Sequence, residues 1–464
     1  MSYVTIRRKY FIGKGENVLN RHHLLLLPKS FFTKRFVAVL VLVSFLFLFG
    51  LSSIASAADE VPGAPQLDAK SAVLMDAESG QVLYQLNGDD AKPPASMSKM
   101  MTEYLVSKAV KQGKLSWDET VSISETAASQ KGSRIFLAQG DKHTIKELYI
   151  AMAVGSANDA TAQLAVSVAG SEENFAKLMN ETAVELGMKN SHFINSTGLD
   201  RADMPEKFRP SSIEGETMMS AKDSAILAYH ILKEEPEFLE TAKIPSYKFR
   251  ERDKTPITNW NWMLESNVNV PNFKKFAYKG VDGLKTGHTS NAGNCFTGTA
   301  LQNGTRLIAV VMGVPGGTND GKRFLETAKL FDYGFKSFEK KTILEAKSVV
   351  PEYETLKVKK GKSKKLPVVT ATDITVLIPK GQAVVPVVQE VKSTQDPLVA
   401  PIKLGDKVGT VTYKYKDPST QEDIQVSIDL IASEEVNKAS WWRLMFRAIG
   451  DFFSGLFQGI VDLF

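Results

Sequence analysis

The stretch KPPASMSKMMTEYL, Lys92 to Leu105, decides how the chain is read. Two prolines end one segment, and a run with helical spacing begins. Ser96 stands at its start, with Lys99 three residues on and on the same helical face. Met97, Met100 and Met101 surround the pair. Two readings are open. Ser96 is an N-cap, a frequent role for serine at a helix start. Alternatively it is a nucleophile with Lys99 as its base. The positive end of the helix dipole favours an alkoxide in the first turn. A lysine that is buried and crowded by a second cation loses its proton more readily. Ser-x-x-Lys by itself does not decide, since SFEK, Ser337 to Lys340, matches too.

Outward from this stretch, SAVLMDAESGQVLYQLN alternates apolar and polar residues around Ser79-Gly80, which predicts a hairpin. From Ser96 to about Ile231 the spacing is mostly helical, as in SEENFAKLMNETAVELGM. GVDGLKTGHTSNAGNCFTGTALQNGTRLIAVVMGV then reads as consecutive strands with turns at Ser290–Gly293 and Asn303-Gly304, and GKRFLETAKLFDYGF as a closing helix. Strands on both sides of a helical middle predict a sheet with helices packed on it. Beyond about Lys340 the composition shifts to Val, Ile, Thr, Pro and Gly, which predicts a small all-β domain over 341–432. It opens with the basic stretch LKVKKGKSKKLPVV, a solvated strand face or a contact with an anionic wall.

Two distant triplets bear on Ser96. Ser156-Ala157-Asn158 lies at the break between two helical runs, and Lys285-Thr286-Gly287 opens onto strand-forming residues. Ser-x-x-Lys, a Ser-Asp-Asn element and Lys-Thr-Gly form one catalytic set in serine enzymes that recognise penicillin. Here they occur in that chain order, with Ala157 in place of the Asp. On these residues, with NSTGLD, NWNWML and GKRFLETAKLFDYGF, the chain from about Ala64 to Phe464 resembles the low-molecular-mass penicillin-binding proteins, the serine D-alanyl-D-alanine carboxypeptidases.

The resemblance implies an α+β fold. Its catalytic domain, over 64–338, is of the serine β-lactamase/transpeptidase type, an antiparallel sheet with helices on both sides and a helical subdomain. A β-sandwich-like domain over 341–432 and an amphipathic membrane-anchoring helix over 437–464 complete it. It implies that Ser96 attacks the carbonyl between the terminal D-alanines of a peptidoglycan stem peptide, with Lys99 as base and Ser156 relaying a proton to the leaving amine. Asn158 holds the substrate amide or orients Lys99, and Lys285 keeps Lys99 neutral and helps to hold substrate. Thr286 and Arg323 bind the terminal carboxylate, and the backbone N–H groups of Ser96 and His288, beyond Gly287, form the oxyanion hole. β-Lactams are the implied covalent inhibitors. No cofactor is implied, and no histidine shows metal spacing such as His-Glu-x-x-His.

Alternatives remain beside these roles. Arg323 could be a surface residue of the last helix. His288 could suggest a Ser-His-Asp triad, but no Gly-x-Ser-x-Gly elbow surrounds any serine. A β-lactamase shares the three motifs but needs a Glu to position water, and no such motif follows Asn158. A non-catalytic wall-binding scaffold would not need Ser96, Lys99, Ser156, Asn158 and Lys285 together.

Composition closes off other classes. The formal charge of +5 over 464 residues comes from the start of the chain. Residues 1–57 hold eight Lys/Arg and one acid, and the rest sums to about −2, with no nucleic-acid signature. Lys34-Arg35, the apolar run Phe36–Leu51 and Ala55-Ser56-Ala57 read as a secretory signal over 1–57, the alternative being an uncleaved anchor. This predicts export, to the outer face of the cytoplasmic membrane. Cys295 is the only cysteine, so no intramolecular disulfide forms, and its strand-like setting predicts a small core residue. In the last segment Trp442, Met445, Ile449, Phe453, Leu456, Ile460 and Leu463 share one helical face. Arg443, Arg447, Asp451, Ser454, Gln458 and Asp462 share the other. That wide aromatic face predicts a helix lying in a membrane interface rather than crossing it. Docking on the protein's own body is the alternative.

Overall fold

A computed structural model describes residues 63–419 and 421–461, without the side chains of 451 and 454–461. The leader expected at 1–57 lies outside them, as do Asp462, Leu463 and the side chains of Asp451, Ser454, Leu456, Gln458 and Ile460.

The first strands, β1 (Ser71–Asp76) and β2 (Val82–Leu86), form the expected antiparallel hairpin. Its turn is tied by Asp76, whose Oδ2 accepts from the Ser79 backbone N–H at 3.0 Å. Two short antiparallel pairs follow: β3 (Thr120–Ser122) with β4 (Lys142–Thr144), and β5 (Ser246–Tyr247) with β6 (Ile257–Thr258). The strands β7 (Val281–Thr289), β8 (Gly293–Gln302) and β9 (Thr305–Val314) complete the main sheet in the order β2-β1-β9-β8-β7. β7, which carries Lys285-Thr286-Gly287, is therefore an edge strand. β9 is buried along Leu307–Val314, which explains why its sequence is continuously apolar instead of alternating.

In chain order the helices are α1 (Lys99–Lys111), α2 (Glu125–Ala128), α3 (Ile145–Gly155), α4 (Asn158–Ala169), α5 (Glu172–Glu185), α6 (Ala221–Glu234), α7 (Phe238–Ala242), α8 (Lys322–Ser337) and α9 (Trp441–Val461). α8 covers one face of the sheet, packing Phe324, Leu330 and Phe331 against Phe296 and Val311. α1 and α6 cover the other, and the three methionines beside Ser96 are buried there with Val310 and Met312. Beyond α1, α2 to α5 form the helical subdomain. α3 starts from a capping box in which Thr144 and Glu147 satisfy each other's backbone N–H groups.

The helical run expected from Ser96 to Ile231 is interrupted. Between α5 and α6 the chain makes loops and two 3₁₀ turns, Arg201–Asp203 and Glu206–Phe208. Gly198, Gly215, Pro205 and Pro210 prevent a helix there. Bridges from His192 to Met218 and from Lys92 to Met219 fold the segment back beside the start of α1.

The C-terminal region has its own core, with Leu366, Val411 and Leu430 among its buried residues. β10 (Phe338–Leu344) pairs with β13 (Ile374–Pro379). The larger sheet is formed by β11 (Thr355–Lys359), β12 (Lys365–Thr370), β14 (Val387–Ser393), β15 (Leu398–Val399), β16 (Lys407–Lys416) and β17 (Asp423–Ala432). Its order is β14-β16-β17-β12-β11-β15. The first hairpin meets this region through buried Gln81, whose Nε2 donates to Leu377 O at 3.0 Å and to Asp417 Oδ2 at 2.7 Å. Among the described residues, no helix is long and apolar enough to cross a membrane.

Candidate active site

Ser96 lies in a 3₁₀ turn, Ala95–Ser98, directly before α1. Ala95 is buried with φ +50°, a conformation that a residue with a side chain holds only when its surroundings impose it. Neither the turn nor α1 has a side-chain cap, so the capping alternative for Ser96 is not realised. Instead its Oγ is hydrogen-bonded to Lys99 Nζ at 2.9 Å. Lys99 Nζ also donates to Thr197 O at 2.8 Å, and the residue is fully buried.

The NSTGLD segment delivers that carbonyl. Asn195 Oδ1 accepts from the N–H groups of Thr197 at 3.1 Å and Gly198 at 2.7 Å, which closes a tight turn. Gly198 has φ +80°, and a Cβ on it would fall 1.9 Å from Ala95 O. Only glycine lets the two turns meet.

The other two triplets converge on the same place. Ser156 follows α3 in the left-handed region, φ 56°, which turns its side chain away from the helix axis. Its Oγ accepts from Lys285 Nζ at 2.9 Å, and Lys285 also donates to Thr286 O at 3.2 Å. Gly287 brings β7 flush against the nucleophile turn, since a Cβ there would lie 2.4 Å from Pro94 O. Arg323, in the first turn of α8, is only 3% exposed, which removes the surface alternative. It donates to Gly287 O at 3.0 Å, Cys295 O at 3.5 Å and Thr318 O at 3.1 Å.

A cleft of about 140 Å³ is lined by Ser96, Ser156, Thr286, Gly287, His288 and Arg323. Lys99 and Lys285 are buried beneath its two serines. Asn158 is not among the lining residues. Its Nδ2 donates to Lys131 O at 2.6 Å, so it braces the loop between α2 and α3 of the subdomain, and no hydrogen bond joins it to Lys99. The exposed His288 ring makes no hydrogen bond among the described residues, which leaves a triad without a base.

Ser133, Trp260 and Thr318 also line the cleft and were not singled out from the sequence. Ser133 Oγ donates to Gly155 O at 2.9 Å and so holds the end of α3. Trp260 lies within the NWNWML segment, but nothing in that motif marks which residue faces the cleft. A larger cavity of about 610 Å³ adjoins it, sharing Ser133 and Trp260.

Electrostatics follow from burial. Lys99 is held well below the usual lysine range, first by desolvation and then by the charge of Lys285. Lys285 is lowered by desolvation too. Burial lowers Arg323 to about 10. Glu103, one turn after Lys99, is fully buried with neither carboxyl oxygen hydrogen-bonded, and burial raises its pKa. Glu172 is a buried acid after Asn158, but its carboxylate is engaged. Oε1 accepts from Ser196 Oγ at 2.8 Å and Oε2 from Gln130 Nε2 at 3.1 Å. It is a brace for the NSTGLD turn and does not line the cleft. Cys295 is buried in β8 with its thiol raised to about 11 by burial, as expected of a small core residue. Among the described residues, no cluster of His, Cys, Asp and Glu could hold a metal ion.

Comparison with known proteins bears on the family of the chain. Residues 58–316 match the family model described as D-alanyl-D-alanine carboxypeptidase, and 338–438 match the penicillin-binding protein 5 C-terminal domain. D-alanyl-D-alanine carboxypeptidase DacF of Bacillus subtilis is 35% identical over 90% of this chain and 98% of its own length. DacC of Escherichia coli is 33% identical over 82% of this chain and 88% of its own. Among solved structures, a peptidoglycan synthesis regulatory factor from Streptococcus pneumoniae aligns with a TM-score of 0.69 at 30% identity, covering 80% of this chain and all of that one. Penicillin-binding protein 5 of Haemophilus influenzae aligns at 0.62 and 32% identity, covering 81% and 99%. With its fold, its paired serine–lysine contacts and these relatives, the chain belongs to the D-alanyl-D-alanine carboxypeptidase family.

Proposed function

We propose that the cleft removes the terminal D-alanine from peptidoglycan pentapeptide stems through an acyl-enzyme on Ser96. The observation that carries this is the pair of 2.9 Å contacts, Lys99 to Ser96 and Lys285 to Ser156, in one cleft that also holds Arg323. Neutral Lys99 keeps one N–H on Thr197 O and turns its lone pair to the Ser96 hydroxyl. Ser96 Oγ attacks the carbonyl as its proton passes to Lys99. Backbone N–H groups of Ser96 and His288 stabilise the oxyanion. Ser156, fed by Lys285, delivers a proton to the leaving nitrogen, and D-alanine departs. Water then attacks the ester, the tetrapeptide leaves, and Ser96 regains its proton. Arg323 and Thr286 hold the free carboxylate that distinguishes an exopeptidase substrate, and Asn158 fixes the subdomain loop at the substrate's flank.

A β-lactam presents a strained amide to the same serine and is a covalent inhibitor. The full engagement of Glu172 argues against rapid hydrolysis of that adduct, and so against a β-lactamase. In the same reading the enzyme works at the outer face of the cytoplasmic membrane, with α9 lying in the membrane interface after removal of residues 1–57. The segments 64–338, 341–432 and 437–464 are its catalytic, β and anchoring parts. Release of D-alanine from a pentapeptide, set against turnover of penicillin, is the test. Stoichiometric penicillin labelling with catalytic D-alanine release supports the reading, and the reverse pattern overturns it.

A further inference from the structure

The linker into α9 is fastened to a lysine-rich turn. Lys362 N donates to Asn437 O at 2.7 Å and Ala439 N to Lys360 O at 2.8 Å. From α9 itself, Arg447 Nη1 donates to Gly361 O and Nη2 to Lys362 O, each at 2.7 Å. Among the described side chains of the helix, Leu444 and Arg447 are the half-buried ones, and they share one face, toward the turn. The opposite face is exposed and aromatic, with Trp442 at 54%, Phe446 at 63% and Phe453 at 64% exposure. The alternative of docking through the apolar face is thus reversed: the polar face meets the protein.

The turn has its own charge pattern. Residues 357–365 read KVKKGKSKK, and all six lysines are exposed. No acid occurs from Thr355 to Thr370. Glu434 and Glu435 lie upstream on the linker, and Lys438 and Arg443 add positive charge beside the helix start.

We propose that this lysine turn and α9 form one docking surface for an anionic lipid bilayer, the helix supplying apolar insertion and the turn supplying selection for headgroup charge. The inference rests on the interfacial reading of α9 and deepens it. An amphipathic helix and a basic patch are two membrane signals whose free energies add. The polar face carries the turn at about one helix diameter, ~10 Å, from the plane of the bilayer. That is about one Debye length at physiological salt, so the attraction is strong at low salt and screened at high salt. Complementary charge favours a bilayer over a neutral partner, and the adjoining aromatic face favours it over a soluble polyanion.

The test is co-sedimentation of the chain from Ala58, a compact unit, with phosphatidylcholine vesicles and with vesicles containing phosphatidylglycerol. Wild type is expected to bind the anionic vesicles more tightly. A variant with Lys359, Lys360, Lys362 and Lys365 all changed to Gln is expected to lose about tenfold on anionic vesicles at low salt. It should be unchanged on neutral ones, and the difference should vanish near 1 M salt. Equal losses on both vesicle types, or no preference in wild type, overturn the proposal. If wild type binds neither vesicle, the interfacial reading of α9 fails, and the proposal with it. Binding of poly(glycerol phosphate) by a chain cut at Glu435, as tight as vesicle binding by the intact chain, assigns the lysines to a wall polymer and also overturns it.

Discussion

Replacing Arg323 with glutamine probes the carboxylate end of the cleft. A guanidinium carries five N–H donors. Three hydrogen bonds tie that of Arg323 to Gly287, Cys295 and Thr318, which leaves two donors at the edge of the cleft for a ligand. A charge-assisted hydrogen bond contributes about 1.5–3 kcal/mol. Loss of the pair is then worth about 3 kcal/mol, roughly 150-fold in kcat/KM. The variant also strips buried carbonyls of donors, at about 1–3 kcal/mol of stability, so a lower melting temperature accompanies it. The assay separates these effects by using two substrates, an acyl-D-Ala-D-Ala and its C-terminal amide. Wild type should prefer the acid by about two orders of magnitude, and Arg323→Gln should lose most of that preference. The amide should slow by less than about tenfold, because it never engaged the charge. If acid and amide fall together, Arg323 merely braces β7 and Thr318, and its assignment to the carboxylate is refuted.

Other substitutions address the proton path and the packing. Lys99→Arg keeps a cation but cannot accept a proton, so acylation by labelled penicillin should slow about 10³-fold. A loss below tenfold removes Lys99 as the base. In Lys285→Met the neighbouring charge that helps to lower Lys99 is gone. Protonated Lys99 is then less disfavoured, its pKa rises, and the acidic limb of the acylation profile must move to higher pH. A limb that stays put or moves down contradicts the pairing. Gly287→Ala sets a Cβ against Pro94 O and Met97. It should shift β7 from the nucleophile turn and cut kcat/KM about 100-fold, the cost of roughly an ångström of misplacement. Wild-type activity in this variant would show that the close approach is not needed.

Much of this arrangement was legible because glycine and turn chemistry mark it. The Ser79-Gly80 hairpin falls where alternation predicts it, and strands β7 to β9 fall where strand-forming runs between turn residues predict them. The all-β character of the chain beyond Lys340 follows its Val, Ile and Thr content, although β10 begins at Phe338. The three motifs meet in one cleft from three different settings: a 3₁₀ turn before α1, the α3–α4 break and the interior of the edge strand β7. The rest was not legible for identifiable reasons. Thr197 contributes a carbonyl, and a backbone oxygen leaves no trace in side-chain pattern. Ser133 and Thr318 lie in loops whose path is set by tertiary packing. Glu103 follows the helical pattern of α1 as an ordinary polar residue, yet the helix carries it into the core beneath the cleft. The mostly helical middle expected from Ser96 to about Ile231 breaks at 187–219, where glycines and prolines outweigh short apolar repeats. In the last helix, sequence put Arg447 opposite the face of Trp442, Ile449 and Phe453 but could not say which face meets the protein. The Arg447 hydrogen bonds settle that.

The identity of the acylated side chain decides the mechanism. Incubation of the chain from Ala58 with labelled penicillin, followed by digestion and mass analysis, locates the ester directly. The predicted result is one adduct per chain, on Ser96, and none in Ser96→Ala. Labelling that persists in Ser96→Ala, or an adduct at any other residue, contradicts the mechanism.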